Sequence, residues 1–263
     1  MKYVGSKRRI AKEVAPILQR LIDENDITTY IEPFCGGLNM MEKIRCRHRI
    51  GLDNEPYLIA MWNALLSGWK PPAHITEEEY NKVRENKSNY LDRYVGLVGY
   101  CCSFGAKFFG GYPRGRREDG TARDYYAEAL RNIQKQLPDL QGVCLFCRDY
   151  KVLPLDEIGG GKSCLLYCDP PYRGTTGYAG RNFDHEAYYD WVRRAAEKHI
   201  VVCSEYEMPS DFSCVWKKQV STSLDVSNHR HSGEDRTEKL FMLCPEKYGL
   251  KKICDFSKFI VDK

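Results

Sequence analysis

Cys164-Leu165-Leu166-Tyr167-Cys168-Asp169-Pro170-Pro171-Tyr172 is the stretch on which the fold turns. Its apolar run is too short for a helix and is closed by two prolines, so 164–169 reads as a buried strand. The tetrapeptide Asp169-Pro170-Pro171-Tyr172 then stands at the strand's C-terminal end, where open α/β sheets bind ligands. Consecutive prolines fix the backbone and remove two N–H donors. What remains is acceptors, the Asp169 carboxylate and the Pro170 carbonyl, next to the aromatic face of Tyr172. That set suits a planar group carrying an exocyclic amine.

Upstream, Ile10, Val14, Ile17, Leu18, Leu21 and Ile22 recur at helical spacing, with Pro16 predicting a kink or a late start. Residues 29–34 read as a strand that runs into Pro33-Phe34-Cys35-Gly36-Gly37, and a short helix to about residue 45 is expected next. Residues 48–53 read as the second strand. Asp53 and Asn54 can cap the following helix, with Pro56 in its first turn. Strand–helix–strand alternation predicts a parallel sheet with crossover helices. From 57 to 140 helical patterns dominate, over 57–66, 77–86, 90–100 and 124–137, with Pro71-Pro72 marking a loop. Strands return at 143–147, 164–169, 200–204 and 239–243. The expected organisation is an α/β frame built from 1–56 and 141–263, interrupted by a helical insertion at 57–140.

The chain has 263 residues and a formal net charge of +4, too small for a histone-like polybasic binder. Any nucleic-acid surface must therefore be local. With 18 Tyr, 10 Phe and 4 Trp, a packed core is expected. No apolar run approaches the ~20 residues that span a bilayer, and no signal-like stretch follows the basic start, so an intracellular, membrane-free protein is expected. Twelve cysteines read as reduced thiols. Cys144 and Cys147, with Cys164 and Cys168, are only loosely zinc-like, and residues three apart on a strand point to opposite faces. His229-x-His231 has no third ligand in view. Gly159-Gly160-Gly161-Lys162-Ser163 lacks the first glycine of a phosphate loop and precedes its strand. No metal is expected.

Several ordered motifs together resemble the Dam-type DNA adenine-N6 methyltransferases that use S-adenosylmethionine, phage-encoded members included. Tyr3-Val4-Gly5-Ser6-Lys7 resembles the N-terminal Lys/Gly element, and Glu32-Pro33-Phe34-Cys35-Gly36-Gly37 the cofactor loop. Asp53 ends the second strand, Asp149 follows the third, and Asp169–Tyr172 resembles the catalytic tetrapeptide. One departure is Leu38, where the family usually carries a further glycine. The resemblance implies a Rossmann-like class I methyltransferase sheet whose insertion is the target-recognition domain. It implies that Asp169, Pro170 and Tyr172 serve the chemistry. Tyr3, Lys7, Glu32, Pro33, Phe34, Gly36, Gly37, Asp53, Asp149 and Asp169 would surround S-adenosylmethionine. Within that set Lys7 would face the methionine carboxylate, Asp53 the ribose hydroxyls and Asp149 the cofactor's adenine.

The second signal is the stretch 104–123, with five basic residues, two acidic ones, four aromatics and five glycines. Arginines hold phosphates or read guanine edges, and aromatics wedge or stack. Lys107, Tyr112, Arg114, Arg116, Arg117 and Arg123 are thus the candidate contacts to double-stranded DNA. Asn228 and Arg230 join them from a basic loop that runs to Glu238. Ser204-Glu205-Tyr206-Glu207-Met208-Pro209 resembles the segment that lines the family's target-base pocket. The expectation is site-specific methylation of the adenine 6-amino group, in a bacterial or phage-infected cytoplasm. The chain would act as a monomer or weak dimer on DNA, with a companion restriction endonuclease as a possible partner. The alternatives are methylation of RNA adenine or of cytosine N4, or a non-catalytic DNA-binding module on the same fold.

Overall fold

The computed structural model describes residues 1–173, 183–220 and 236–248. Among them one sheet has seven strands: β1 (Thr29–Glu32), β2 (His48–Asp53), β3 (Val143–Cys147), β4 (Leu165–Cys168), β5 (Ile200–Glu205), β6 (Ser213–Val220) and β7 (Arg236–Met242). Their spatial order is β3-β2-β1-β4-β5-β7-β6. The first five are parallel; β7 runs antiparallel to both β5 and β6. The expected α/β, Rossmann-like sheet is therefore present.

Alternation along the strands fills two cores. Tyr30, Leu165, Tyr167, Ile200 and Val202 face one side, and Ile31, Leu166, Cys168, Val201 and Cys203 the other. Helix α6 (His185–Ala196), between β4 and β5, covers the second face with Tyr188, Trp191 and Val192. The first face is covered by α1 (Ala11–Glu24), which contributes Val14, Leu18, Leu21 and Ile22. Helix α1 runs through Pro16 without interruption, and its start at Ala11 agrees with the apolar stripe.

Between β2 and β3 lie α2 (Pro56–Leu66), α3 (Glu77–Glu85), α4 (Asp92–Cys101) and α5 (Tyr125–Gln136). Each start has a local cause. Pro56 opens α2, and Thr76 and Asp124 cap α3 and α5 by accepting from the Glu79 and Ala127 amides. Helices α2 and α4 pack closely. A Cβ on Gly96 would lie 2.0 Å from the Tyr57 carbonyl oxygen, so only glycine allows this approach. Leu58, Trp62, Val95, Val98, Tyr126 and Ile133 from these helices share the core that also holds Tyr30 and Leu165.

Two expectations are corrected. No α-helix follows β1; a single 3-10 turn, Met41–Lys43, occupies that place. Leu38, Met40, Met41 and Ile44 are all buried, so the segment has no solvent face of the kind a surface helix keeps. β6, which the sequence reading did not anticipate, extends the sheet beyond β7. All described cysteines are free thiols; Cys144 and Cys147 are exposed, Cys164 and Cys168 buried. Among the described residues no cluster of three His, Cys, Asp or Glu could hold a metal, and no helix is long and apolar enough to cross a membrane.

Candidate active site

The strand order reverses between β1 and β4, which are neighbours and parallel. Their C-terminal ends therefore deliver two loops side by side: Pro33–Gly37 from β1 and Asp169–Tyr172 from β4. This is the crevice where doubly wound sheets place ligands.

Asp169 is held by Lys7, whose Nζ lies 3.1 Å from Oδ1. Lys7 belongs to the 3-10 turn Lys7–Arg9, capped by the Ser6 side chain, and is itself 8% exposed. The same ammonium lies 3.4 Å from Glu238 Oε2 on β7 and 4.1 Å from the centre of the Tyr172 ring. The Tyr172 hydroxyl donates to Glu238 at 2.9 Å, so the Ser204 hydroxyl, 2.6 Å away, donates to Tyr172. Tyr206 meets the Tyr172 ring edge-on at 4.6 Å. Ser204 and Tyr206 follow from the register of β5, whose last residues extend past Cys168. Glu205 is 1% exposed and accepts from the Arg173 and Tyr206 amides.

Carboxylates outnumber cations here. Burial pushes Asp169 up to about 6 against the pull of Lys7, and pushes Glu205 up to about 7. Glu32, fully inside the sheet and accepting from the Tyr30 hydroxyl at 2.9 Å, is pushed up to about 8 by burial. Each of these groups loses water on burial and gains too little positive charge in return. Such a pocket favours a cationic ligand.

On the β1 side, Asp53 Oδ2 accepts from the Gly36 amide at 3.0 Å, and Oδ1 from Glu55 at 3.1 Å. Burial lifts this carboxyl to about 6. The Asn54 amide bonds it as well, and with about four acceptor positions on a carboxylate, capacity remains for a hydroxyl donor. Phe34 packs in an aromatic cluster with Tyr150, Phe183 and Tyr188. Pro33 is buried. Asp149 stands exposed just after β3 and accepts from the Lys151 amide.

The glycine turn does something the sequence did not show. Tyr3 lies against it, and a Cβ on Gly36 or Gly37 would come within 2.8 Å of Tyr3 atoms. The loop carbonyls are bound from the helical block, Gly36 by Trp62 Nε1 at 3.2 Å and Gly37 by Gln136 Nε2 at 2.9 Å. The backbone freedom thus serves packing by Tyr3 as well as any approach of a ligand. Next to it, the Asn39 Oδ1 is buried with no hydrogen-bond partner. Leu38 adopts φ +56, the conformation glycine takes most readily, yet its side chain is wholly buried.

The stretch 104–123 is arranged differently from a row of free cations and stacking rings. Phe108 packs on Tyr57 and Tyr100, Phe109 on Tyr80, and Tyr112 on Tyr80, with its hydroxyl toward the Ile75 carbonyl. These rings are structural. Arg123 makes two 2.7 Å bonds to Glu128, Arg114 pairs with Glu77, and Arg116 bonds the Gly120 carbonyl at 2.8 Å in a small hairpin closed by Arg116 and Ala122. Lys107, Arg114, Arg116 and Arg117 are exposed. Asn228 and Arg230 lie outside the described residues. Glu238, read as part of a basic loop, instead belongs to β7 and to the site. An isolated acid at a strand start gave no signal of that placement; only the pairing of β7 with β5 and β6 supplies it.

Residues 3–99 match the family model described as D12 class N6 adenine-specific DNA methyltransferase. The type II methyltransferase M.FokI of Planomicrobium okeanokoites is 26% identical over an alignment of 220 residues, covering 73% of this chain and 31% of that protein. The chain thus spans about a third of this relative's length. Among solved structures, the rRNA methyltransferase AviRa of Streptomyces viridochromogenes aligns at 13% identity over 89% of this chain and 84% of that one, with a TM-score of 0.39. A putative class I S-adenosylmethionine-dependent methyltransferase of Listeria monocytogenes aligns at 11% identity over 89% and 58%, with a TM-score of 0.37. Residues 3–99, from Tyr3 through the glycine turn and Asp53 into α4, therefore carry the match to the model of the D12 class N6 adenine-specific DNA methyltransferases.

Proposed function

We propose that this chain moves a methyl group from S-adenosylmethionine to the 6-amino group of an adenine flipped out of double-stranded DNA. The observation that carries the reading is Asp169, held by Lys7 at the C-terminal end of β4 beside the glycine turn of β1. When bound, the cofactor supplies a methyl group activated by a sulfonium. The residues present fit it: the buried carboxylates favour a cation, and Asp53 retains acceptor capacity for a ribose hydroxyl. Phe34 and the Gly36-Gly37 turn would flank it, with Asp149 at the adenine end. Lys7, here bound to Asp169 and Glu238, would turn toward a carboxylate only by exchanging partners.

The chemistry of the chain follows from its acceptors. Adenine's amino lone pair is delocalised and weakly nucleophilic. Two hydrogen bonds, to the Asp169 carboxylate and the Pro170 carbonyl, would localise it on a tetrahedral nitrogen that takes the methyl in line as the carbon–sulfur bond breaks and S-adenosylhomocysteine leaves. Asp169 stabilises the positive charge that develops on that nitrogen and receives the proton after transfer. Tyr172, 8% exposed and covered by Lys7 on one face, is placed to hold the tetrapeptide rigid and not to offer a broad stacking surface.

The helical block at 57–140 is the natural recognition element in this reading, with exposed Lys107, Arg114, Arg116 and Arg117 facing phosphate. The Arg114 pair with Glu77 is a surface pair, worth ~0–1 kcal/mol, so exchange to a phosphate is cheap. Likeness to a type II methyltransferase extends the proposal to a companion restriction endonuclease and to cytoplasmic action as a monomer or weak dimer on DNA. The test is incorporation of labelled methyl into unmethylated plasmid DNA, with modified bases mapped. The expected result is N6-methyladenine at one motif, abolished in Asp169→Ala while cofactor binding persists. Folded wild type that leaves DNA adenine unmodified would overturn the proposal.

A further inference from the structure

Lys7 is shared. Its ammonium lies 3.1 Å from Asp169 and 3.4 Å from Glu238, and Glu238 also accepts the Tyr172 hydroxyl at 2.9 Å. A chain of contacts thus runs from Ser204 through Tyr172, Glu238 and Lys7 to Asp169, joining the ends of β5, β4 and β7 to the N-terminal turn. All its members have little solvent access: Lys7 and Asp169 side chains are 9% and 20% exposed, Glu238 14%. Ion pairs so placed are weakly screened, and each partner's charge is felt by the others.

We infer that Glu238 is a positioning residue of this site, which draws part of Lys7 away from Asp169 and so keeps the Asp169 carboxylate a strong hydrogen-bond acceptor. The inference rests on the reading of Asp169 as the acceptor of the substrate amine. A carboxylate alone with one ammonium gives up much of its electron density to that pair. One that shares the ammonium with a second carboxylate keeps more for a third partner. Glu238 does this without touching substrate, through Lys7, while its bond to the Tyr172 hydroxyl anchors the tetrapeptide from the opposite strand.

The groups that face Asp169 come from every neighbouring element: Lys7 from the N-terminal turn, Glu238 from β7, Glu205 from β5, Glu32 from β1, and Tyr167 and Tyr172 from β4 and its exit. Of these, Glu238 is the carboxylate that shares the Asp169 cation directly. Glu238→Gln keeps the shape and the Tyr172 acceptor but removes the charge. Lys7 then serves Asp169 alone, which protonates at lower pH.

The experiment is the pH dependence of methyl incorporation into plasmid DNA, for wild type and Glu238→Gln, with labelled S-adenosylmethionine and far-ultraviolet dichroism to confirm folding. The wild type should lose activity on acidification as Asp169 protonates near 6. In Glu238→Gln the acid limb should move down by roughly one pH unit. Relative to its own plateau, the variant would then retain about fivefold more activity at pH 5 than wild type. On the plateau kcat should fall, because the acceptor is weaker. Superimposable pH profiles, or a limb moved upward, would overturn the inference. Should the Gln variant not fold, Glu238→Asp, which draws the charge back by one methylene, must move the limb in the same direction by less; no movement overturns it equally. Wild type inactive at every pH would instead refute the methyltransferase reading itself.

Discussion

Replacing Glu32 by Gln should stabilise the protein, and increasingly so as pH rises. Glu32 lies in the central strand β1, 3% exposed, and accepts from the Tyr30 hydroxyl. Burial, with the nearby Asp169 charge adding to it, moves its carboxyl from an ordinary 4.5 to about 8. Between those values the folded protein holds a proton that the unfolded chain has released. Stability contributed by this group is therefore lost as pH rises through the window from 4.5 to 8, and the loss levels off above it. At about 1.4 kcal/mol per pH unit, the burden is roughly 3 kcal/mol at pH 7 and approaches roughly 5 kcal/mol above pH 8. Gln keeps the acceptor for Tyr30 but brings an amide that needs its own partner, a cost of ~1–3 kcal/mol. The expected net gain is ~2–4 kcal/mol at pH 8.5, and close to zero or negative at pH 5. Urea denaturation of both proteins at pH 5, 6, 7, 8 and 9 measures it. A difference that does not change with pH, or a variant less stable at pH 9 than wild type, would refute the argument. The gain carries no promise for activity, since strained or uncomfortable charge is commonly kept where function needs it.

Leu38→Gly sets two effects against each other: about 1 kcal/mol of left-handed backbone strain is relieved, but a fully buried leucine is lost, so a net loss of ~2 kcal/mol is expected by denaturant titration; a more stable variant would show that the side chain contributes little. Gly96→Ala forces a Cβ to within 2.0 Å of the Tyr57 carbonyl and should cost about 3 kcal/mol or prevent folding, read as a fall in Tm, whereas an unchanged Tm would mean that α2 and α4 separate easily. Replacing Arg114, Arg116 and Arg117 together by Ala should weaken DNA binding and lower the slope of log affinity against log salt by up to about 3; an unchanged slope would remove this stretch from the DNA surface.

The sequence by itself determined what depends on near neighbours along the chain. The tetrapeptide at the end of an apolar strand, the glycine turn after β1 and Asp53 at the end of β2 could be read because strand, turn and acid are a few residues apart. A parallel sheet then carries their C-terminal ends to one edge. The spans of α3 and α5 were legible for the same reason, in the helical patterns of 77–86 and 124–137. Tertiary structure alone decided the rest. Glu238 reaches Lys7 and Tyr172 because β7 inserts antiparallel between β5 and β6, pairing Lys239 with Glu205 and leaving Glu238 next to it. Nothing within a few residues of Glu238 encodes that register. The glycines at 36 and 37 looked like room for a ligand, yet Tyr3, more than thirty positions earlier, occupies part of that room. Of the rings of 104–123 that looked like stacking platforms, Phe108, Phe109 and Tyr112 pack against the core of the helical block, because Tyr57, Tyr80 and Tyr100 were there to receive them, while Phe104 stays exposed. Local motifs fix chemistry and strand ends. Which distant charges share a buried cation depends on strand order and register, and those are settled only when the whole sheet has formed.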